Sequence, residues 1–190
     1  MPRVRIALGV APCNAVSYDD EIEQLIRTTA GDKRVRAIGS CGFDGAPDEV
    51  QTKAFARQVR LAHELDMPLI VEAHDAYSQA LALLEDEGLP AAGVLVRAFD
   101  GTADELTAWV ERGCYVSFDI RSVNDRIGAV ARAELVPQDR IMVESGAPHT
   151  AADLEGYPAR ADQAVFVADT LQSLCPPGQL ASNFQALFGK

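Results

Sequence analysis

The sequence predicts a parallel α/β fold of about six strands, and three observations carry that reading. Short runs rich in Val, Ile and Leu recur along the chain, each too short for a helix and too apolar for a strand with one wet face. Longer amphipathic segments with helix start and stop signals lie between them. No linker, low-complexity stretch or break in composition interrupts the 190 residues, so residues 1–190 read as a single domain with room for a hydrophobic core.

The first strand is "VRIALGV" (4–10). Two arginines precede or enter this short apolar run, which lacks a long hydrophobic stretch and a cleavage site; it reads as a strand and not as a secretion signal. The second is "VRAIGSCGF" (35–43). The clearest helix follows, "PDEVQTKAFARQVRLAHELD" (47–66). Pro47 suits its first turn, and Asp48 and Glu49 suit the positive end of the helix dipole. Val50, Phe55, Val59, Ala62 and Leu65 recur at helical spacing and make one apolar face. His63, between Ala62 and Glu64, reads as surface. A third strand, "PLIVEAH" (68–74), leads to the helix "AYSQALALLEDEG" (76–88), with a solvated acidic end and a glycine stop. The fourth strand is "AGVLVRAF" (92–99), followed by "TADELTAWVERG" (102–113), a helix with a Thr cap in which Leu106 and Trp109 read as core. The remaining strands are "YVSFDI" (115–120) and "RIMVES" (140–145), and the helices "QAVFVADTLQSLC" (163–175) and "LASNFQALF" (180–188) close the chain. An open doubly wound sheet and a (β/α) barrel both fit this order. Six strands are too few for a complete eight-stranded barrel, which takes about 250 residues.

Composition narrows function. The chain is 48% hydrophobic and 24% charged, with a net charge of −11. Affinity for nucleic acid comes largely from Lys and Arg on phosphates, so this balance weighs against tight non-specific DNA or RNA binding. No apolar run reaches the roughly 18 residues of a membrane helix, so no membrane partner is expected. Cys13, Cys41, Cys114 and Cys175 are scattered without a CxxC pair, which suits a reduced, cytoplasmic setting.

Several stretches, in order, resemble the TatD family of metal-dependent deoxyribonucleases and related hydrolases. "ALGVAPCNA" (7–15) is similar to that family's "GvHPH.A", "VRAIGSCGFD" (35–44) to "vvAIGEiGLD", and "VQTKAFARQVRLAHELDMPLIVEAHDA" (50–76) to "Q...F..Ql.lA.eL.lPviiHsRdA". "GVLVRAFDG" (93–101) resembles "gi.HcFsG", "VPQDRIMVESGAPH" (136–149) resembles "vPldrlLlETDaPy", and "SNFQALFG" (182–189) resembles "tN..rlF". The resemblance covers nearly the whole chain. It implies a distorted TIM barrel whose strand ends carry two divalent cations. It also implies an incomplete barrel, because the family's first two βα units, with an HxH metal pair, have no counterpart here.

The family's remaining ligand positions fall on residues of other kinds. The bridging Glu falls on Ser40, one His on Glu72, the other on Arg97, and the Asp on Gly146. A substrate-side His falls on Cys13. What matches is scaffold: Gly39, Gly42, Asp44, Gln51, Phe55, Asp75, Phe99, Gly101, Arg140, Glu144, Ala147 and Pro148. Two-metal hydrolysis needs carboxylates and imidazoles to hold both cations, which generate hydroxide and neutralise the transition state. Ser40 cannot bridge two cations, Gly146 offers no side chain, and Arg97 is permanently cationic. These replacements predict a degenerate metal site and no resident cofactor.

If strand C-terminal ends share one mouth, Cys13, Cys41, Glu72, His74, Arg97, Asp119 and Glu144 lie near it. Three arrangements compete there. Arg97 pairs with Glu72, with Glu144 a further candidate partner, so that a guanidinium replaces the metal. Alternatively, Arg97 binds the anionic group of a small molecule that Glu72 or His74 orients. In the third, Cys13 or Cys41 joins His74 and Glu72 around one zinc ion. A Cys nucleophile with a His base is a weaker fourth. His149 reads as a loop or rim residue. A shortened barrel leaves edges on the strands at 4–10 and 140–145, and apolar edges invite a second copy or a partner protein. The expectation is therefore a TatD-like binding module, with an active hydrolase of rebuilt or partner-completed site as the alternative.

Overall fold

The computed structural model describes residues 4–123, 126–147 and 158–189. Six strands run β1 (Ile6–Leu8), β2 (Val35–Asp44), β3 (Leu69–His74), β4 (Val94–Val96), β5 (Tyr115–Phe118) and β6 (Ile141–Val143). Their order in the sheet is their order in the chain, and the pairing is parallel. Each lies inside a segment read as a strand from its apolar run, apart from the one-residue extension of β2 to Asp44. The helices are α1 (Asp20–Thr29), α2 (Glu49–Glu64), α3 (Tyr77–Glu87), α4 (Ala103–Glu111), α5 (Arg126–Ala133), α6 (Gln163–Thr170) and α7 (Pro177–Phe188). Two compact units divide the chain: Met1–Leu95 with Leu187–Lys190, and Val96–Ala186.

In the first unit, α2 carries the core. Phe55, Val59, Leu61 and Ala62 are sealed from solvent, as are Ile38, Leu69 and Val71 of the strands. Burying side chains of this size stabilises by roughly 1.5–3 kcal/mol each. The Phe43 and Phe55 rings meet edge to face at 5.3 Å between centroids. Val50 departs from the predicted apolar face: it is 48% exposed, lining an open groove with Ala15 and Val16. Gln58 is buried in the same helix, where it accepts from the Val10 N–H at 2.8 Å and donates to the Val10 carbonyl at 3.1 Å. Pro47 precedes the helix instead of opening it. Asp48 is the cap, accepting from Gln51 N at 2.7 Å. His63 is on the surface, 2.8 Å from the Gly88 carbonyl.

In the second unit, Trp109 and Leu106 of α4 are fully buried, as are Val116, Phe118, Ile141, Val167 and Leu171. Thr102 caps α4 as the sequence indicates, in a reciprocal capping box with Glu105. Helices α1 and α5 were not among the segments read from the sequence. α1 sets Ile22, Leu25 and Ile26 at helical spacing, with Ile26 buried, and α5 is a short helix with a glycine inside it. α6 is shorter than its predicted segment, stopping at Thr170, whereas α7 begins earlier, at Pro177. No helix of the described residues is long and apolar enough to cross a membrane.

Candidate functional site

The former ligand positions fall in both units. In the first, the β2–β3 pairing decides which side chains meet. The register steps between Gly39 and Cys41, leaving Ser40 as the extra residue opposite no partner. Beyond it, Cys41 stands beside Val71, Gly42 beside Glu72 and Asp44 beside His74. Neighbours in a parallel pair share a face, and faces alternate along a strand. Glu72 and His74 therefore lie on one face of β3, half-buried, while Leu69, Val71 and Ala73 lie sealed on the other. Ser40 Oγ donates to Glu72 Oε2 at 3.1 Å. Gly42 has φ near +137°, and a Cβ there would stand 2.0 Å from the Glu72 carbonyl oxygen. Only glycine lets the two strands approach at this point.

The same step removes Cys41 from the candidate set as an accessible group. It sits on the sealed face with Val71, fully buried, with Sγ 3.7 Å from the Ile70 carbonyl. Burial first, and the Glu72 charge second, push its thiol far above the ordinary range, so it stays protonated. Cys13 is exposed in a 3-10 turn, Pro12–Ser17.

In the second unit Arg97 meets Glu144. Its Nε and Nη2 donate to Glu144 Oε2 at 3.1 and 2.7 Å, with the two side chains 25% and 23% exposed. Ser117 Oγ donates to the other oxygen, Oε1, at 2.6 Å, and itself accepts from the Ala98 N–H at 3.1 Å. Both oxygens of Glu144 thus have a donor. Glu144 is held in place by its own N–H, which donates to the Phe118 carbonyl at 3.0 Å. Arg97 thus bonds Glu144, the further partner that the sequence suggests, and Glu72 accepts from Ser40. Ser117 was missed: a single Ser within "YVSFDI" gives no sign that its strand position aims it at a carboxylate. Asp119 is buried, where it accepts from Ser122 N at 3.0 Å and Arg121 Nε at 3.0 Å. Gly146 is buried with φ near +73°, a backbone state that disfavours most side chains. Pro148 and His149 lie outside the described residues.

Taken unit by unit, these residues do not fit a pair of divalent cations: in the first, Ser40 is a neutral hydroxyl bound to Glu72, and in the second Gly146 presents no side-chain ligand and a guanidinium lies on Glu144. Among the described residues, no three His, Cys, Asp or Glu side chains are grouped so as to hold a metal ion.

Comparison with known proteins places the chain. The family model described as TatD related DNase matches residues 1–183. The 3'-5' ssDNA/RNA exonuclease TatD of Cronobacter sakazakii is 37% identical over 150 residues, which are 74% of this chain and 56% of that protein. The protein of the same name from Escherichia fergusonii is 31% identical over 201 residues, 95% of this chain and 76% of its own length. The chain therefore spans little more than half of the first of these relatives and three quarters of the second. The crystal structure of YJJV, a TatD homologue from Escherichia coli, shares the fold with a TM-score of 0.86 at 22% identity, covering 98% of this chain and 77% of that one. A TatD family hydrolase from Entamoeba histolytica aligns with a TM-score of 0.83 at 17% identity, over 97% and 74% of the two chains. The order of motifs, the six parallel strands and the family match agree: this chain belongs to the TatD family of hydrolases and nucleases.

Proposed function

We propose that this chain is a non-catalytic binding module of the TatD family, in which an internal ion pair stands where relatives hold a catalytic cation. The observation that carries this reading is the Arg97–Glu144–Ser117 arrangement, which gives both oxygens of the carboxylate a donor and puts a permanent positive charge on it. A second cation beside Arg97 would be repelled, and neither Ser40 nor Gly146 compensates. The module's ligand on this reading is a small anion or a protein partner, without nucleic acid, membrane or resident metal. Its setting is the cytoplasm, in keeping with four free thiols.

The test is elemental analysis of protein purified without chelator, together with degradation of labelled single-stranded DNA in magnesium or manganese. The reading expects no metal above background and no turnover that scales with enzyme. Stoichiometric metal with turnover would overturn it.

The exonuclease relatives favour a second reading, a hydrolase with a rebuilt or partner-completed centre. Under that reading Glu72→Ala or Arg97→Ala abolishes turnover, and His74, Cys13 and Glu72 supply the centre, with one zinc ion as the candidate metal. Absence of turnover in the unmodified chain and in its complexes would dispose of it.

A further inference from the structure

We propose that the groove between α1 and α2 docks a basic amphipathic helix of a partner protein. That helix sets apolar side chains between α1 and α2, and its lysines or arginines against the carboxylates at their N-terminal ends. The proposal stands on other residues than Arg97, Glu144 and Ser117, so it holds whether or not the module is catalytic.

The groove is built within the first unit, from residues 15–57. The 3-10 turn Pro12–Ser17 and the start of α1 form one wall, and the first half of α2 forms the other. Ala15 and Ala54 line it as buried residues, and their short side chains leave a hollow of about 600 Å³, within the range of natural ligand clefts. Arg57 ties the walls together. Its guanidinium lies over the Tyr18 ring at 5.2 Å and reaches α1, where Nη2 donates to Asp20 at 2.7 Å and Nε to Glu23 at 2.9 Å. Walls fixed in advance cost a partner less ordering than mobile ones.

Elsewhere the chain's own side chains fill such places. Gln58 takes both backbone groups of Val10. In the second unit the buried Asn183 donates through Nδ2 to the Gln138 and Ile141 carbonyls, each at 2.7 Å. The groove stays open instead. Val16 on one wall is 85% exposed, and Val50 on the other is half exposed. Val50 belongs by spacing to the apolar face of α2, where Phe55, Val59 and Ala62 are sealed. A single exposed valine is ordinary. Two on opposite walls of one groove suit a helix with apolar residues at i and i+4. The α2 wall from Glu49 to Arg57 rises about 12 Å, a little over two turns, which gives such a helix one apolar contact per turn.

Charge selects the partner. Asp19, Asp20, Glu21 and Glu49 line the groove against Lys53 and Arg57, and Arg57 is already paired. Glu21 and Glu49 are exposed and have no ion pair among the described residues. The N-termini of α1 and α2 add roughly half a positive charge each, which leaves the groove negative. The whole chain carries −11, a field that steers a cationic partner inward and repels nucleic acid and anionic membrane.

The test uses the full chain and two synthetic peptides of about 14 residues with leucines on one helical face. One carries lysines on the other face and its counterpart carries glutamates. Fluorescence anisotropy at physiological salt should show the lysine peptide binding at micromolar concentration and the glutamate peptide not binding. In amide NMR spectra the lysine peptide should shift Ala15, Val16, Val50 and Ala54 saturably. Val16→Ser with Val50→Ser should weaken binding by about tenfold or more, with far-UV circular dichroism unchanged because both side chains are exposed. Glu21→Lys with Glu49→Lys should also weaken it by about tenfold. Asp86→Lys with Glu111→Lys, the same change of net charge at exposed positions outside the groove, should alter it by less than about threefold. No binding of the lysine peptide at high micromolar concentration overturns the proposal. So does binding that leaves the groove amides unmoved, or that both pairs of charge reversals weaken alike, which would mark general attraction to an acidic chain. A lysine peptide that binds as tightly with serines in place of its leucines would assign the groove to small cations. A dimer in sedimentation that Val16→Ser with Val50→Ser dissolves would assign it to a second copy. Either result overturns the proposal as well.

Discussion

Glu144 has a donor on each oxygen, and that decides how its loss would be felt. Arg97→Ala leaves a half-buried carboxylate holding only the Ser117 bond, so we expect a loss of about 1–3 kcal/mol in urea unfolding. Glu144→Ala takes this carboxylate from the guanidinium, and the double variant should recover part of the sum, with a coupling of about 1 kcal/mol. Additive losses would mean that the pair is not an energetic unit. The thiols give a second prediction. Cys41, Cys114 and Cys175 are buried, with their thiols raised by burial, Cys114 to about 12, whereas Cys13 is exposed. Alkylation near neutral pH should modify Cys13 alone until denaturant is added, as intact mass would report. At this scale the sequence suggested that Arg97 pairs with Glu72 and named Glu144 as a further partner. The bonds to Glu144 depend on distances across strands far apart in the chain, which no local pattern announces. Cys41 was misjudged for a related reason: one extra residue at Ser40 reverses its face, and no local pattern announces a bulge.

Among the elements, the strands were legible and some helices were not. Short Val/Ile/Leu runs mark most strands, and in β4 burial on both faces imposes that signal directly. α1 carries an Asp19 cap, ion pairs from Glu23 and Asp20 to Arg57, and Ile22, Leu25 and Ile26 at helical spacing, a short pattern that the sequence reading passed over. The β2–β3 contact is the sharpest element-level test. Gly42→Ala drives a Cβ into the Glu72 carbonyl, and we expect more than about 3 kcal/mol of destabilisation, or no folded protein. Just before the α1 cap, the Tyr18 phenol is raised above its ordinary value by burial and then by Glu23. The folded state thus holds that proton more tightly than the unfolded chain does. Its contribution is complete below about pH 10, the unfolded value, and is lost as pH rises above it. Melting temperatures from pH 8 to 11 should fall less steeply in Tyr18→Phe than in the parent; identical slopes would show that Tyr18 does not drive the loss.

For the whole molecule, the family was legible because its motifs keep their order over nearly the full chain, a property that does not depend on any one residue. The division between the two units was not legible: it falls inside β4, where "VLV" looks like any buried strand and carries no linker composition. The binding-module reading makes a prediction at this scale. A cation that binds the native state stabilises it in proportion to the logarithm of its saturation, by about 2.7 kcal/mol at a hundredfold excess over its dissociation constant. Millimolar magnesium, manganese or zinc should leave the melting temperature unchanged. A rise of several degrees that Glu72→Ala abolishes would restore the case for a metal-dependent hydrolase.

The amide of Asn183 also imposes an order on biosynthesis. Strand β6 ends at Val143, so about forty further residues must be translated before its outer carbonyl can be covered, which takes roughly 2–8 s at typical elongation rates of about 5–20 residues per second. During that interval the Ile141 carbonyl, which Asn183 Nδ2 covers at 2.7 Å in the folded chain, stands open. A chain halted between these points carries β6 with its outer edge unstopped and free to take up other extended backbone.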